Sequence, residues 1–174
     1  METKSEPRTI LSDKELFIKM AVSAWETHHQ RVSKLLESLT DEQLMADTAT
    51  GRNSGRYLLG HLTAVSDGLM SMFGWGERLY PQLDEVFVKN PDKSGLEMPS
   101  LADLKEYWTK VNQAITDHIQ KMDAADWFTK HSAISAEDFA NEPHRNKLNV
   151  LMNRTNHMSS HLGQMIYLTK KKLN

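Results

Sequence analysis

The sequence predicts an all-α fold, most simply a four-helix bundle with long crossover connections, on three observations. Apolar residues recur at three- and four-residue intervals along four long stretches. Ser or Thr followed three positions later by an acidic or amide residue, the signature of a helix start, precedes several of the helical segments. No segment alternates apolar and polar residues with period two, as a half-buried strand would.

The first helix is expected from Ser12, which stands in capping-box register with Glu15, to about Leu39. One stripe on it is Phe17, Ala21, Ala24, His28, Val32 and Leu35. A neighbouring stripe is Ile18, Val22, Trp25, His29, Val32 and Leu36, and together they make the wide apolar face of a bundle helix. Thr40 and Gln43 mark a second start and a short helical turn. The second long helix spans about Ser54 to Phe73, with Leu58, Leu62, Val65, Leu69 and Met72 inward; Gly60 and Gly68 weaken it unless a neighbour packs against them. A third begins at Ser100 and carries Leu104, Trp108, Val111, Ile115 and Ile119. The fourth, about Asn146 to Thr169, carries Val150, Leu151, Met158, Leu162, Met165 and Leu168.

Two connections are long. Residues 74–99 hold six of the chain's thirteen Gly and Pro, together with Leu79, Tyr80, Leu83, Val86 and Phe87. Connections of this length in a compact domain usually serve function, and these apolar residues suit a crossover that packs back on the bundle and covers one end of a pocket. Residues 123–145 are expected to contain a short turn or helix before Pro143.

At 174 residues the chain suits one domain with a sizeable core, its first eleven residues forming a flexible N-terminus. Apolar content of 39% and charged content of 25% exclude extensive disorder. A formal charge of −2 argues against a nucleic-acid surface, and the lysines at 170–172 read as a solvated helix end. No apolar run approaches a membrane span and the charged N-terminus is not a secretory signal, so a cytoplasmic protein is expected. There is no cysteine, so any metal must be held by nitrogen and oxygen, and any thiol must come from a small molecule.

The eight histidines carry the functional signal. His157 and His161 lie four apart on the fourth helix, on one face and near enough to share a cation. His61 edges the apolar stripe of the second helix. His28 and His29 flank the broad face of the first, His118 is expected to be half-buried, and His131 and His144 to lie at the surface. Hydrogen bonding in the core accounts for any one inward histidine. Three on two helices with no carboxylate to pair them shift the balance toward a shared metal, without deciding it, because an unpaired buried polar group costs about 1–3 kcal/mol.

The pairing of LLGHL at 58–62 with HMSSHLGQM at 157–165 resembles the DinB/YfiT-like superfamily of metal-binding four-helix bundles, over nearly the whole chain. The resemblance implies a single DinB-like domain over 1–174, with a divalent metal held by His61, His157 and His161, and a homodimer. Where that family often has Arg after its last ligand, this chain has Leu162; Arg154, one turn before His157, is a candidate cation at the same mouth. The resemblance extends to transferases and isomerases that use bacillithiol or mycothiol.

Three neutral imidazoles leave an open position on a divalent ion, zinc or nickel being the expected metals, as in catalytic sites. The leading expectation is a metal-dependent transferase that activates a low-molecular-weight thiol against a small electrophile. Trp25, His28, Arg154 and Gln164 are its candidate pocket residues, and the small-molecule substrate is expected beside the 74–99 connection. The alternatives are a non-catalytic, metal-stabilised dimeric binding or stress protein, and a hydrolase acting through metal-activated water. Metal affinity is expected to weaken below about pH 6.5, where free imidazoles protonate.

Overall fold

Ser12 starts the first helix by accepting from the Glu15 backbone N–H, while the Glu15 carboxylate accepts from the Ser12 N–H at 2.8 Å. Two donors that a first turn leaves orphaned are thereby satisfied. The computed structural model describes residues 11–170, and this helix, α1, runs Asp13–Ser38. Thr40 and Gln43 form the second expected box and open α2, Asp41–Met45. Ser54 caps α3, Gly55–Phe73, and α4, Leu83–Phe87, lies within the 74–99 connection. Ser100 and Asp103 open α5, Leu101–Ile119. A 3-10 turn at Asp126–Phe128 and α6, Ala136–Asn141, occupy the 123–145 connection. Asn146 caps α7, Lys147–Met165. The chain is all-α, and among the described residues the only extended pairings are the isolated bridges Asp47–Ser54 and Lys130–Asn146.

The fourth long helix differs from its expected extent. It leaves α geometry at Met165 and finishes as a 3-10 turn, Ile166–Lys170. Tightening to i→i+3 bonds is a common way to satisfy the last carbonyls of a helix. Lys170 is exposed there, as expected, whereas the other two lysines of that run lie outside the described residues. Apart from Leu11, so does the expected flexible N-terminus. No helix among the described residues is long and apolar enough to cross a membrane.

α3 is the central element, packed against α5, α7, α4 and α2. Tyr57, Leu58, Leu59 and Gly60, four consecutive residues that together point around the helix, are all buried, which a helix covered on one face alone cannot achieve. α1 pairs mainly with α7 and buries Ala21, Trp25, Val32 and Leu36. The other expected stripe faces the core only in part: Ala21 and Val32 are buried and Leu35 packs against the core, but Phe17 is 46% exposed, Ala24 is exposed and His28 is half-buried. The apolar face of α1 is wider than the groove its neighbours offer, so its outer half is left bare.

The 74–99 connection is tied down by a carboxylate in the middle of α3. Asp67 is fully buried and accepts from Arg78 Nε at 3.3 Å, from the Leu79 N–H at 2.8 Å and from the Tyr80 N–H at 2.9 Å. Arg78 also donates to Asp84 at 2.7 Å, at the start of α4. Behind this clamp Leu83 and Phe87 are driven into the core. Phe87 sits so close to Gly60 that a Cβ at that position would collide with the ring. A neighbour thus explains Gly60; Gly68 has none within 4 Å.

Asp67→Ala leaves two backbone N–H groups and the Arg78 guanidinium without their acceptor. It is expected to destabilise the protein by about 3 kcal/mol, read from urea unfolding at pH 7.

Candidate metal centre

His61 lies on α3 opposite His157 and His161 on α7, and one nitrogen from each ring falls within 4.8 Å of the others. Such a cluster could hold a metal ion. His61 is oriented by the clamped connection: its Nδ1 lies 2.7 Å from the Phe87 carbonyl, which can only accept. Nδ1 therefore carries the proton and Nε2 presents a lone pair. Tyr57, one turn earlier on α3, stacks on the His61 ring at 6.3 Å between centroids and donates its hydroxyl to the Asn90 carbonyl at 2.7 Å. Both supports come from residues not singled out in the sequence. Tyr57 was within reach, because a residue four before His61 shares its face. The Phe87 carbonyl had no signal beyond the apolar character of its segment.

His157 Nε2 lies 3.1 Å from His61 Nε2 and 3.0 Å from His161 Nε2. A single proton on His157 Nε2 cannot point along both lines, and His61 Nε2 has none to give. One shared cation meets all three lone pairs. Nitrogens about 2.0–2.1 Å from one ion, at angles between octahedral and tetrahedral, lie about 2.9–3.4 Å apart, the range of both contacts. The donor set is wholly imidazole, which suits zinc, nickel, copper or iron. On the far side of the rings, His157 Nδ1 and His161 Nδ1 are buried without a hydrogen-bond partner within the protein.

Burial holds the His157 and His161 rings in the neutral form that ligation requires. Desolvation, then the neighbouring His161, His61 and Arg154, lowers the pKa of His157 to about 4. Desolvation and His61 also lower that of His161; Gln164, beside the ring but out of hydrogen-bond geometry at Nδ1, acts in the opposite direction. At His157 the metal-free ring therefore takes up its proton only near pH 4.

A groove of about 680 Å³ opens beside His161, walled by Ser160, Gln164 and Tyr167 of the α7 end and by Arg52 and Asn53 of the turn before α3. Among the expected pocket residues, Gln164 lines it. Trp25 does not: it is 1% exposed and stacked on His29 in the core. His28 does not either, its Nδ1 donating to the Ala24 carbonyl of its own helix at 2.9 Å. Arg154 is outside the groove, yet near enough to the triad for its charge to act on His157. The 74–99 connection was expected to cover the pocket; it supports His61 from behind instead, and the 48–53 turn forms the wall. Of the remaining histidines, His118 is half-buried against Trp75 at 5.0 Å and His144 is exposed, both as expected, whereas His131 is half-buried.

The family model of the DinB superfamily matches residues 24–165, a span that runs from α1 to the end of α7 and includes all three clustered histidines. The chain belongs to the DinB superfamily. No match to it is found among curated proteins. Within this DinB-superfamily chain, α3 and α7 bring the histidines together, while α1 and α5 complete the core around them.

In the metal-free protein the unfolded chain takes up a proton at His157 near pH 6.5, the folded chain only near pH 4. Stability is therefore complete above that window and falls as pH drops through it. Urea midpoints of the metal-free protein at pH 7 and 4.5 should show this loss, and His157→Gln should reduce it.

Proposed function

We propose that this protein is a metal-dependent transferase that joins a low-molecular-weight thiol to a small electrophile, with His61, His157 and His161 holding one zinc or nickel ion. The observation that carries the reading is the convergence of three imidazole Nε2 atoms from two helices, one fixed in its metal-ready tautomer by the Phe87 carbonyl. A divalent cation held there supplies a Lewis acid that keeps a coordinated thiol deprotonated at neutral pH. The chain's own part is to keep His157 and His161 unprotonated, to hold the His61 ring still, and to offer a groove beside His161 for the second reactant. At about 680 Å³ that groove has the size of a small-molecule site. The reaction forms one sulfur–carbon bond and breaks one bond from that carbon to a leaving group; the thiol proton passes to solvent.

The chain has no cysteine, so the sulfur is a small molecule's. Such chemistry needs reduced thiols, which favours the cytoplasm as the place of action. On this reading the protein would act like the thiol-using transferases of the YfiT-like kind that its sequence resembles. We also propose a homodimer formed through α1 and α7. Leu16, Phe17 and Met20 are 48%, 46% and 61% exposed, and Met152 is 37% exposed across an apolar groove of about 220 Å³. Bare apolar surface of this kind favours a protein partner.

Elemental analysis of the purified protein is expected to find about one zinc or nickel per chain, and His61→Ala or His157→Ala to weaken metal affinity by more than about tenfold. Calorimetric titration with cellular thiols should then show binding to the metal-loaded protein alone; no heat with any of them would remove the transferase reading and leave a metal-stabilised binding protein or a hydrolase.

The dimer is tested separately by sedimentation. Met20→Glu should raise its dissociation constant at least about tenfold, by setting a charge in apolar surroundings.

A further inference from the structure

Arg154 is a cation without a counter-ion among the described residues. Its Nε is buried with no hydrogen-bond partner, and no carboxylate pairs with it among the described residues. A buried guanidinium nitrogen is ordinarily held by a carboxylate or a carbonyl, because a desolvated charge without partners is costly; Arg154 as a whole is half-buried. The other inward arginines here follow that rule: Arg78 is held by Asp67 and Asp84, and Arg56 by the carbonyls of Met98 and Pro99. Arg154 is the exception, and it lies one turn before His157 on the same flank of α7. Burial lowers its pKa, yet arginine stays charged at neutral pH. Its charge also disfavours a proton on His157.

Two features are thus built side by side, a set of imidazoles that would leave the charge of a divalent ion uncompensated and a guanidinium whose Nε has no partner among the described residues. Both demand an anion. We propose that Arg154 is the anchor for an anionic group delivered to the triad, its guanidinium donating to that group while the metal takes the same or an adjacent atom. The proposal rests on the metal-binding reading above. It names the class of guest that the site selects, an anion such as a thiolate or a carboxylate over a neutral alcohol or amine. Guanidinium is suited to the task because it offers several N–H donors in one plane and cannot lose its charge to the metal beside it.

The test uses the full chain loaded with cobalt(II), with azide as the anionic probe and the visible spectrum as readout. Arg154→Met keeps the volume and removes the charge; Arg154→Lys keeps the charge and removes the fork. In Arg154→Met, azide affinity should fall by about tenfold, the effect of losing a charge-assisted hydrogen bond. Cobalt affinity should stay the same or rise, since a like charge has been taken away. Arg154→Lys should recover most of the azide affinity. This opposite movement of anion and metal affinity separates an anchor from a residue that merely shapes the site. Azide affinity unchanged within about twofold in Arg154→Met overturns the proposal. So does cobalt affinity falling in step with azide affinity, which would make Arg154 a support for the ligands. Should Arg154→Met not fold, Arg154→Gln carries the same two readouts. If the wild-type protein takes up no cobalt, the triad reading fails and the anchor with it; if cobalt binds and azide ignores residue 154, the anchor alone fails.

Discussion

The hydrogen bond from His61 Nδ1 to the Phe87 carbonyl is the contact on which the site depends. It fixes the tautomer of one ligand and, through the ring, the direction of its lone pair. A carbonyl can do this only if its own peptide is held, and here the holding is elaborate. Asp67 clamps the start of the 74–99 connection through Arg78 and two backbone N–H groups, α4 carries the chain inward, and the Phe87 ring lies against Gly60, one residue before the histidine it serves. The same side chain thus fills the core and the same residue's carbonyl orients the ligand, so packing and chemistry cannot be changed independently at this point. Outer partners of metal-binding histidines commonly have this double duty.

A second consequence concerns stability. The cluster places imidazole nitrogens about 3 Å apart without protons enough to satisfy them, and two Nδ1 atoms are buried without partners. The metal-free fold is therefore carried by the rest of the core, which is extensive: Leu58, Leu59, Leu62, Leu69, Leu83 and Phe87 are essentially inaccessible around α3. Strained or unsatisfied groups of this kind persist where the surrounding structure determines them, and they gather at functional sites. A ligand that binds the folded form alone turns that cost into affinity.

The fold was legible because its signals are local. Ser12, Thr40, Ser54, Ser100 and Asn146 each cap the helix that the sequence placed after them, and helical periodicity marked α1, α3, α5 and α7. What periodicity could not give was which half of a wide stripe would be covered. Phe17 and Ala24 repeat with the same spacing as Trp25 and Val32, and only the positions of the neighbouring helices decide between them. At the site, His61, His157 and His161 were readable from helical spacing and family pattern together. Trp25 and His28 were misplaced from the pocket because they share a helix face with groups that do turn inward. The Asp67 clamp, the Phe87 carbonyl and the 48–53 wall of the groove were not readable: each joins segments far apart in sequence, and a backbone carbonyl leaves no mark on residue identity at all.

Charge is the remaining constraint, and it narrows the chemistry more than shape does. A ligand set of two carboxylates would neutralise a divalent ion; three imidazoles would leave its charge whole, and Arg154 adds another without a counter-ion among the described residues. In a partly desolvated setting such an excess weighs far more than it would in water. The protein has not relieved it with a carboxylate in the cluster, although Asp67 and Asp92 show that α3 is tied by acidic side chains elsewhere along its length. A folded chain that keeps an uncompensated positive site beside an open groove of molecular size leaves the compensation to whatever enters. Neutral guests do not supply it. Anionic ones do, and the thiolate proposed above would supply both the negative charge and a thiol sulfur, which a chain without cysteine does not offer.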